Sequence, residues 1–425
     1  MENTVIVLDN ILSFQQKALA WANKFNVCCL LNSNHYPGNV NNEKEWVLAV
    51  DAIHFIEPKG DALFFDFQRF LNTSKQTVFG FIGYDLKNTI ENLHSRNPDF
   101  LGFPNLFFFE PRYVITVNGN KVSVNRNYPE TYEIIEAIEK TEIEDFTALS
   151  RLKFNFRTSE SAYKNNVNQI RQKIAAGDFY EMNYCIEAFA ENARLNPVVT
   201  YQKLNQKTQA PFSCYVKHFN KFLMCASPER FLKKKGNKLL AQPIKGTITK
   251  SKNPQENEQL KQTLANSEKE RAENIMIVDL MRNDLAKSCQ TGTVQVDELC
   301  HVYEFETVHQ MISTISGTCK EEVSITDIIQ HTFPMGSMTG APKVEVMKAI
   351  DELENFQRNI FSGSVGYITP EGDFDFNVVI RSVFYNESSN YISLRSGSAI
   401  TFDSCAESEW QEVLLKMKAM REVLE

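Results

Sequence analysis

Two carboxylate pairs stand out by residue type and spacing: Glu270 with Glu273, and Glu409 with Glu412. Residues three apart on a helix share a face, so each pair aims two acids in one direction. The first pair lies in the stretch 268 to 285, where apolar residues surround most of the middle, the pattern of a buried helix. The second lies near the C-terminal end, where Trp410, Val413, Leu414 and Met417 keep the i, i+3, i+4, i+7 spacing of a core-facing stripe. Taken singly, an ExxE pair is more often a solvated helix face than a site. If the two pairs face each other, carboxylates about 4 Å apart repel by about 4 kcal/mol at an effective dielectric of about 20, and a cation or protons must relieve that. Oxygen ligands without His or Cys suit a hard ion that keeps some waters, so Mg²⁺ is the expected cofactor.

A third group is Ser227-Pro228-Glu229-Arg230-Phe231 followed by Gln242-Pro243-Ile244-Lys245-Gly246-Thr247. A strand-like run from 239 to 244 delivers Lys245 just ahead of a glycine. A lysine of ordinary pKa is neutral in roughly one molecule in 2500 at pH 7, so a nucleophilic Lys245 needs burial or cationic neighbours to lower that value. By itself, Lys245 reads as a solvated loop lysine. The segment 333 to 343 resembles a phosphate loop only superficially, because Ala341 and Pro342 separate Gly340 from Lys343. It does supply a small-residue turn entering a helix, with Ser337 in the turn and backbone N–H groups free for a carboxylate.

The elements that must position these residues read as mixed α+β. Up to about residue 150 the chain shows short strands at 47 to 50, 62 to 65, 77 to 82, 113 to 117 and 121 to 124, then a helical, charged connector over 130 to 145. From residue 159 helices and strands alternate, beginning with a helix over 160 to 176 that stops at Gly177. This predicts two regions, 1–150 and 151–425. The 425 residues carry a net charge of -8 and no basic run interleaved with aromatics, which argues against nucleic acid. No basic leader precedes an apolar stretch at the N-terminus, and no apolar run approaches the roughly 20 residues that span a bilayer, so a cytoplasmic protein without membrane contact is expected. The nine cysteines form no CxxC pair and read as buried free thiols.

Taken in order, these segments resemble the chorismate-utilising enzymes, the family of anthranilate, aminodeoxychorismate, isochorismate and salicylate synthases. The resemblance runs from 155 to 425 through SPERF at 227 to 231, PIKGT at 243 to 247, ERAENIMIVDLMRNDL at 270 to 285, GSMTGAPK at 336 to 343, Val379-Ile380-Arg381 and the final Glu409 and Glu412. It implies a four-layer α/β/β/α sandwich with orthogonally packed sheets. Lys245 stands where anthranilate synthases resemble PIAGT, which favours the aminodeoxychorismate synthase branch and amination of chorismate at C4. Glu181 stands where isochorismate and salicylate synthases resemble one another in a water-activating lysine, and where the pattern otherwise has glutamine.

The resemblance further implies roles: Lys245 as covalent nucleophile, Glu229 as acid to the departing hydroxyl, Arg381 on the pyruvyl carboxylate, and His309 and Ser337 as substrate contacts. Glu273 and Glu412 would hold Mg²⁺ directly, with Glu270 and Glu409 in support. A fainter N-terminal match places Ser33 with Pro211, Phe212 and Ser213 where some members hold tryptophan. Departures are Ser396 and Ser398 in a segment usually richer in glycine, Phe361 in place of a tyrosine, and Lys250 in place of an arginine. No cysteine sits in a GxCxG turn, so ammonia is expected from a separate glutamine amidotransferase subunit. Anthranilate synthase, or a silent chorismate- or tryptophan-binding subunit, are the alternatives.

Overall fold

The strand Val27–Asn32 shows how the layers arise. Its side chains alternate: Cys28 and Leu30 enter one apolar cluster, while Val27 and Cys29 enter another. The neighbouring strand Trp46–Ile56 does the same, with Trp46, Leu48 and Val50 in the first cluster and Val47 and Ala49 in the second. A sheet apolar on both faces must be covered on both. One cover is helical: Phe14, Ile134, Tyr163, Val198 and Trp410, from five different helices, fill the first cluster. The other is a second sheet, whose Phe79, Phe107, Leu239 and Ile315 fill the second cluster, together with Phe67, Ile277 and Ile328 from the helices outside it. Helix, sheet, sheet and helix follow one another, in a mixed α+β fold.

The computed structural model describes residues 5–34, 45–126, 129–143, 151–305 and 308–425. In the first sheet Val27–Asn32 pairs with Phe212–His218, and the ladder continues through Lys221–Ser227, Ser382–Asn386 and Tyr391–Ile400 to Glu181–Ala190. Trp46–Ile56 carries it to the second sheet. Its register shifts between Ala52 and His54, and Asp51 takes a left-handed φ of 61°, the local bend that lets a long strand turn a corner between sheets. Beyond that corner come Leu106–Asn118, Val78–Ile82, Ser364–Ile368, Phe374–Asn377, Arg230–Lys235, Lys238–Gln242 and Val308–Thr318. Strands from before and after residue 150 thus alternate in one ladder, and the connector expected near that residue lies partly outside the described residues.

One element differs from expectation. Residues 62 to 65, read as a strand, open the helix Leu63–Thr73. Leu63, Phe67, Phe70 and Leu71 keep helical spacing over a stretch longer than the four residues considered, and Leu63 and Phe67 are buried. The helix expected over 160 to 176 is present as Glu160–Ala176, capped by the Ser159 side chain and ended by Gly177 at φ 88°. All nine cysteines are free thiols, eight of them buried. No described helix is long and apolar enough to cross a membrane.

Candidate active site

Lys245 lies on the strand Ile244–Thr249, which pairs with Val308–Thr318 and shifts register between Ile244 and Thr247. Gly246 forms the bulge at φ 82°, and a Cβ there would meet the Glu270 side chain and Leu264 at 3.0 Å, so glycine answers both the backbone and the space. The bulge sends Lys245 inward, where it is 8% exposed. Its Nζ donates to Glu181 Oε1 at 2.6 Å, while Glu181 Oε2 is buried without a partner. Burial works to lower the lysine's pKa, but Glu181, Glu273 and Glu229 work the other way, and the net shift is upward. The depression expected of a nucleophilic lysine is therefore absent, because its surroundings are acidic rather than cationic.

Glu229 sits in a tight turn where its N–H donates to Ser227 Oγ at 3.2 Å. It is 5% exposed, and burial pushes its carboxyl up to about 7, against smaller opposing pulls first from Ser337 and then from Lys245. A carboxyl in that range can give a proton at neutral pH. Ser337 is held near it by a buried framework: Arg358 donates to Met338 O at 2.6 Å and Asn183 O at 2.7 Å, and forms an ion pair with Glu354 at 2.5 Å. Asn183 Nδ2 donates to Ser337 O at 2.9 Å. Gly340, at φ 146°, lets this loop lie against Glu181, since a Cβ would stand 2.0 Å from the Glu181 carbonyl oxygen.

The two ExxE pairs lie on the helices Glu268–Ser288 and Ala406–Glu422, which an ion-pair bridge joins. Between them stands Lys269, with Nζ 3.5 Å from Glu409 Oε1 and 3.9 Å from Glu273 Oε1. Burial pushes Glu273 up to about 7, with Glu181 and Glu270 adding to the shift, and burial also raises Glu270. Glu412 moves down despite burial, because Lys416 is paired with it at 2.6 Å. Glu273 Oε1 and Glu409 Oε2 are buried without hydrogen-bond partners. Among the described residues no three acids are grouped closely enough to enclose a metal ion. The donor set nonetheless suits a hard divalent cation: all oxygens, two of them orphaned, in a site whose carboxyls resist ionising together.

Most of these groups, though not Glu181 or Glu409, line one cavity of about 370 Å³. Glu229, Lys245, Lys269, Glu270, Glu273, Ser337, Arg381, Glu412 and Lys416 line it. Arg381 is held at a left-handed φ of 53°, strain of the kind that persists where a side chain must be aimed, and burial lowers its pKa to about 10. His309 is not among the lining residues. On its strand the neighbours Val308 and Gln310 face the cavity, so His309 faces away, with Nε2 2.9 Å from Asn257 Oδ1. Ser33, Pro211, Phe212 and Ser213 come together elsewhere, around a separate cleft of about 60 Å³ that Asp375 and Asn377 also line.

The sequence pattern of chorismate binding enzymes matches residues 39–422. The chain belongs to that family. A probable aminodeoxychorismate synthase of rice chloroplasts is 38% identical over 314 residues, 73% of this chain, and the chain spans about a third of that relative's length, at 33%. An aminodeoxychorismate synthase component 1 of Salmonella typhimurium is 32% identical over 380 residues, 88% of this chain and 83% of its own. Anthranilate synthase component I of Streptococcus pneumoniae has a similar structure, with a TM-score of 0.77 at 25% identity, covering 88% of this chain and 91% of its own.

Within this chorismate-binding enzyme the sequence reading overlooked two charged neighbours, Lys269 and Lys416. Lys269 adjoins Glu270 and lies four residues before Glu273, and Lys416 follows Glu412 by four, spacings that alone bring opposite charges together on a helix. Glu181 stood out in the sequence as a departure from the pattern, but its pairing with Lys245, 64 residues away, carried no local signal.

Proposed function

We propose that this chain aminates chorismate at C4, forming 4-amino-4-deoxychorismate as the large component of a glutamine-dependent synthase. The observation that carries the proposal is a buried lysine and a carboxyl of raised pKa, Lys245 and Glu229, opening into one cavity with the paired carboxylate helices. The similarity to proteins named aminodeoxychorismate synthase supports it.

In the first step the Lys245 amine forms a bond to C2 of chorismate as the C4–O bond breaks, and Glu229 gives its proton to the departing hydroxyl, which leaves as water. In the second, ammonia bonds to C4, the C2–N bond breaks to release Lys245, and the ionised Glu229 takes a proton from the new C4 ammonium group. The net change is chorismate and ammonia to 4-amino-4-deoxychorismate and water. Arg381 offers its guanidinium to the pyruvyl carboxylate, and Ser337 a hydroxyl at the cavity wall. Mg²⁺ held by Glu273 and Glu412, with Glu270 and Glu409 in support, would supply positive charge for the ring carboxylate. The ammonia comes from a glutaminase partner, as the "component 1" in a relative's name suggests.

The test is to incubate the purified chain with chorismate, MgCl₂ and an ammonium salt and identify the product by mass spectrometry. Aminodeoxychorismate supports the proposal. Anthranilate would make it an anthranilate synthase, and unchanged chorismate a silent binding subunit.

A further inference from the structure

The lysine proposed to attack chorismate rests as an ammonium ion, paired at 2.6 Å with a carboxylate that is itself fully buried. An ammonium ion has no lone pair. For Lys245 to become a nucleophile, one proton must leave Nζ, and the group in hydrogen-bond contact to receive it is Glu181. Glu181 enters from a different element, the strand Glu181–Ala190, and the loop carrying Gly340 and Ala341 pairs against it. Its second oxygen is buried without a partner, so the carboxyl has an open position for a proton as well as a donor at hand. Around the pair stand Glu273 from the first ExxE helix, Glu229 from its turn, and, farther off, Glu270, Glu412 and Lys416.

We infer that Glu181 is the general base that takes a proton from Lys245 as the lysine attacks, stores it while the covalent adduct exists, and returns it when the lysine leaves. The inference rests on the covalent reading of Lys245 given above. Protons and charge close over the cycle. The ion pair becomes neutral amine and carboxylic acid, and the amine bonds to C2 as a secondary ammonium. When that C–N bond breaks, the electron pair stays on nitrogen, and the free amine recovers its proton from Glu181. Glu229 serves the C4 side throughout, so leaving group and nucleophile have separate proton partners. The arrangement accounts for an otherwise adverse feature, a nucleophile whose surroundings raise its pKa. A carboxylate in contact keeps the lysine charged until substrate fills the cavity, and accepts the proton within one hydrogen bond.

The experiment compares wild type, Glu181→Gln, Glu181→Asp and Lys245→Ala for ammonium-dependent turnover between about pH 6 and 8, taking the ratio of wild-type to variant rate at each pH so that the ionisation of ammonia cancels. Glutamine conserves the shape of Glu181 and cannot accept the proton. With solvent as the only acceptor, the fraction of neutral lysine rises tenfold per pH unit. The expected result is a loss of about 100-fold or more in Glu181→Gln at pH 7, with the ratio falling about tenfold per pH unit, while Glu181→Asp shows a smaller loss that does not change with pH. A Glu181→Gln ratio that is constant with pH, alongside an inactive Lys245→Ala, overturns the role of Glu181 and leaves the covalent reading standing. Full activity of Lys245→Ala overturns both.

Discussion

Lys269 places its ammonium between two carboxylates from different helices, 3.5 Å from Glu409 and 3.9 Å from Glu273, on the ground assigned above to Mg²⁺. The two cations cannot share it. Replacing Lys269 by Met should tighten Mg²⁺ binding, because a competing charge is gone, while the metal-free protein loses stability through unrelieved repulsion. Magnesium titration by calorimetry reads the first effect and thermal unfolding without divalent cations the second. Weaker magnesium binding in the variant would mean that Lys269 holds the carboxylates in place for the metal instead of competing with it.

The glutamates themselves can be tested separately. Glu273→Gln and Glu412→Gln each remove a ligand charge, so magnesium binding and activity should both fall, while the metal-free Glu273→Gln protein stays folded and gains stability. Magnesium titrations unchanged in both variants would reject the assignment.

Stability should also depend on pH in a direction unusual for carboxylates. Glu229 and Glu273 have their pKa raised from the ordinary glutamate value of 4.5 to about 7, chiefly by burial. The folded state then binds these protons more tightly than the unfolded one. Their contribution is most favourable below the unfolded value and is lost as pH rises toward the folded value of about 7. Acidifying metal-free protein from about pH 8 to about pH 5.5 should stabilise it by about 1–3 kcal/mol per carboxyl. Denaturant titrations across that range measure this. The Glu229→Gln, Glu273→Gln double variant should lose most of the gain, and an undiminished gain would place its origin elsewhere.

Lys245→Ala should abolish efficient formation of aminodeoxychorismate and leave chorismate binding within several-fold of wild type. Calorimetric binding of chorismate to the variant, beside its turnover, separates loss of a nucleophile from loss of the site.

A last expectation concerns ammonia. None of the nine cysteines is flanked by glycines as the cysteine of a glutaminase turn would be, and eight are buried. The purified chain should use ammonium ions and not glutamine, with glutamine becoming a donor only after a glutaminase subunit is added. Rapid glutamine-dependent turnover by the chain alone would overturn this.

The sequence displayed much of this architecture because its signals are local. The ExxE pairs, Lys245 ahead of Gly246 and the cap at Gly177 each depend on residues within a turn or two. The misread helix at Leu63–Thr73 shows the cost of too short a window, since a four-residue apolar run fits either period. His309 shows a different limit. In a strand, adjacent residues face opposite ways, and which of His309 and Gln310 meets the cavity depends on the register with Ile244–Thr249, fixed only by the bulge at Gly246. The contact of Lys245 with Glu181 joins two strands that are not hydrogen-bonded neighbours, a relationship that only the closed sandwich creates.

Gly80 pairs directly with Gly366, and Phe81 with Val365. The strand Val78–Ile82 is made well before its partner Ser364–Ile368, so the long stretch between them must leave the ribosome before that edge is covered. Until then an apolar strand, Val78-Phe79-Gly80-Phe81-Ile82, waits with one row of backbone groups unpaired. A nascent protein built this way depends on being shielded during translation. Its yield in a foreign host should respond more to growth temperature and chaperone supply than to the stability of the finished fold.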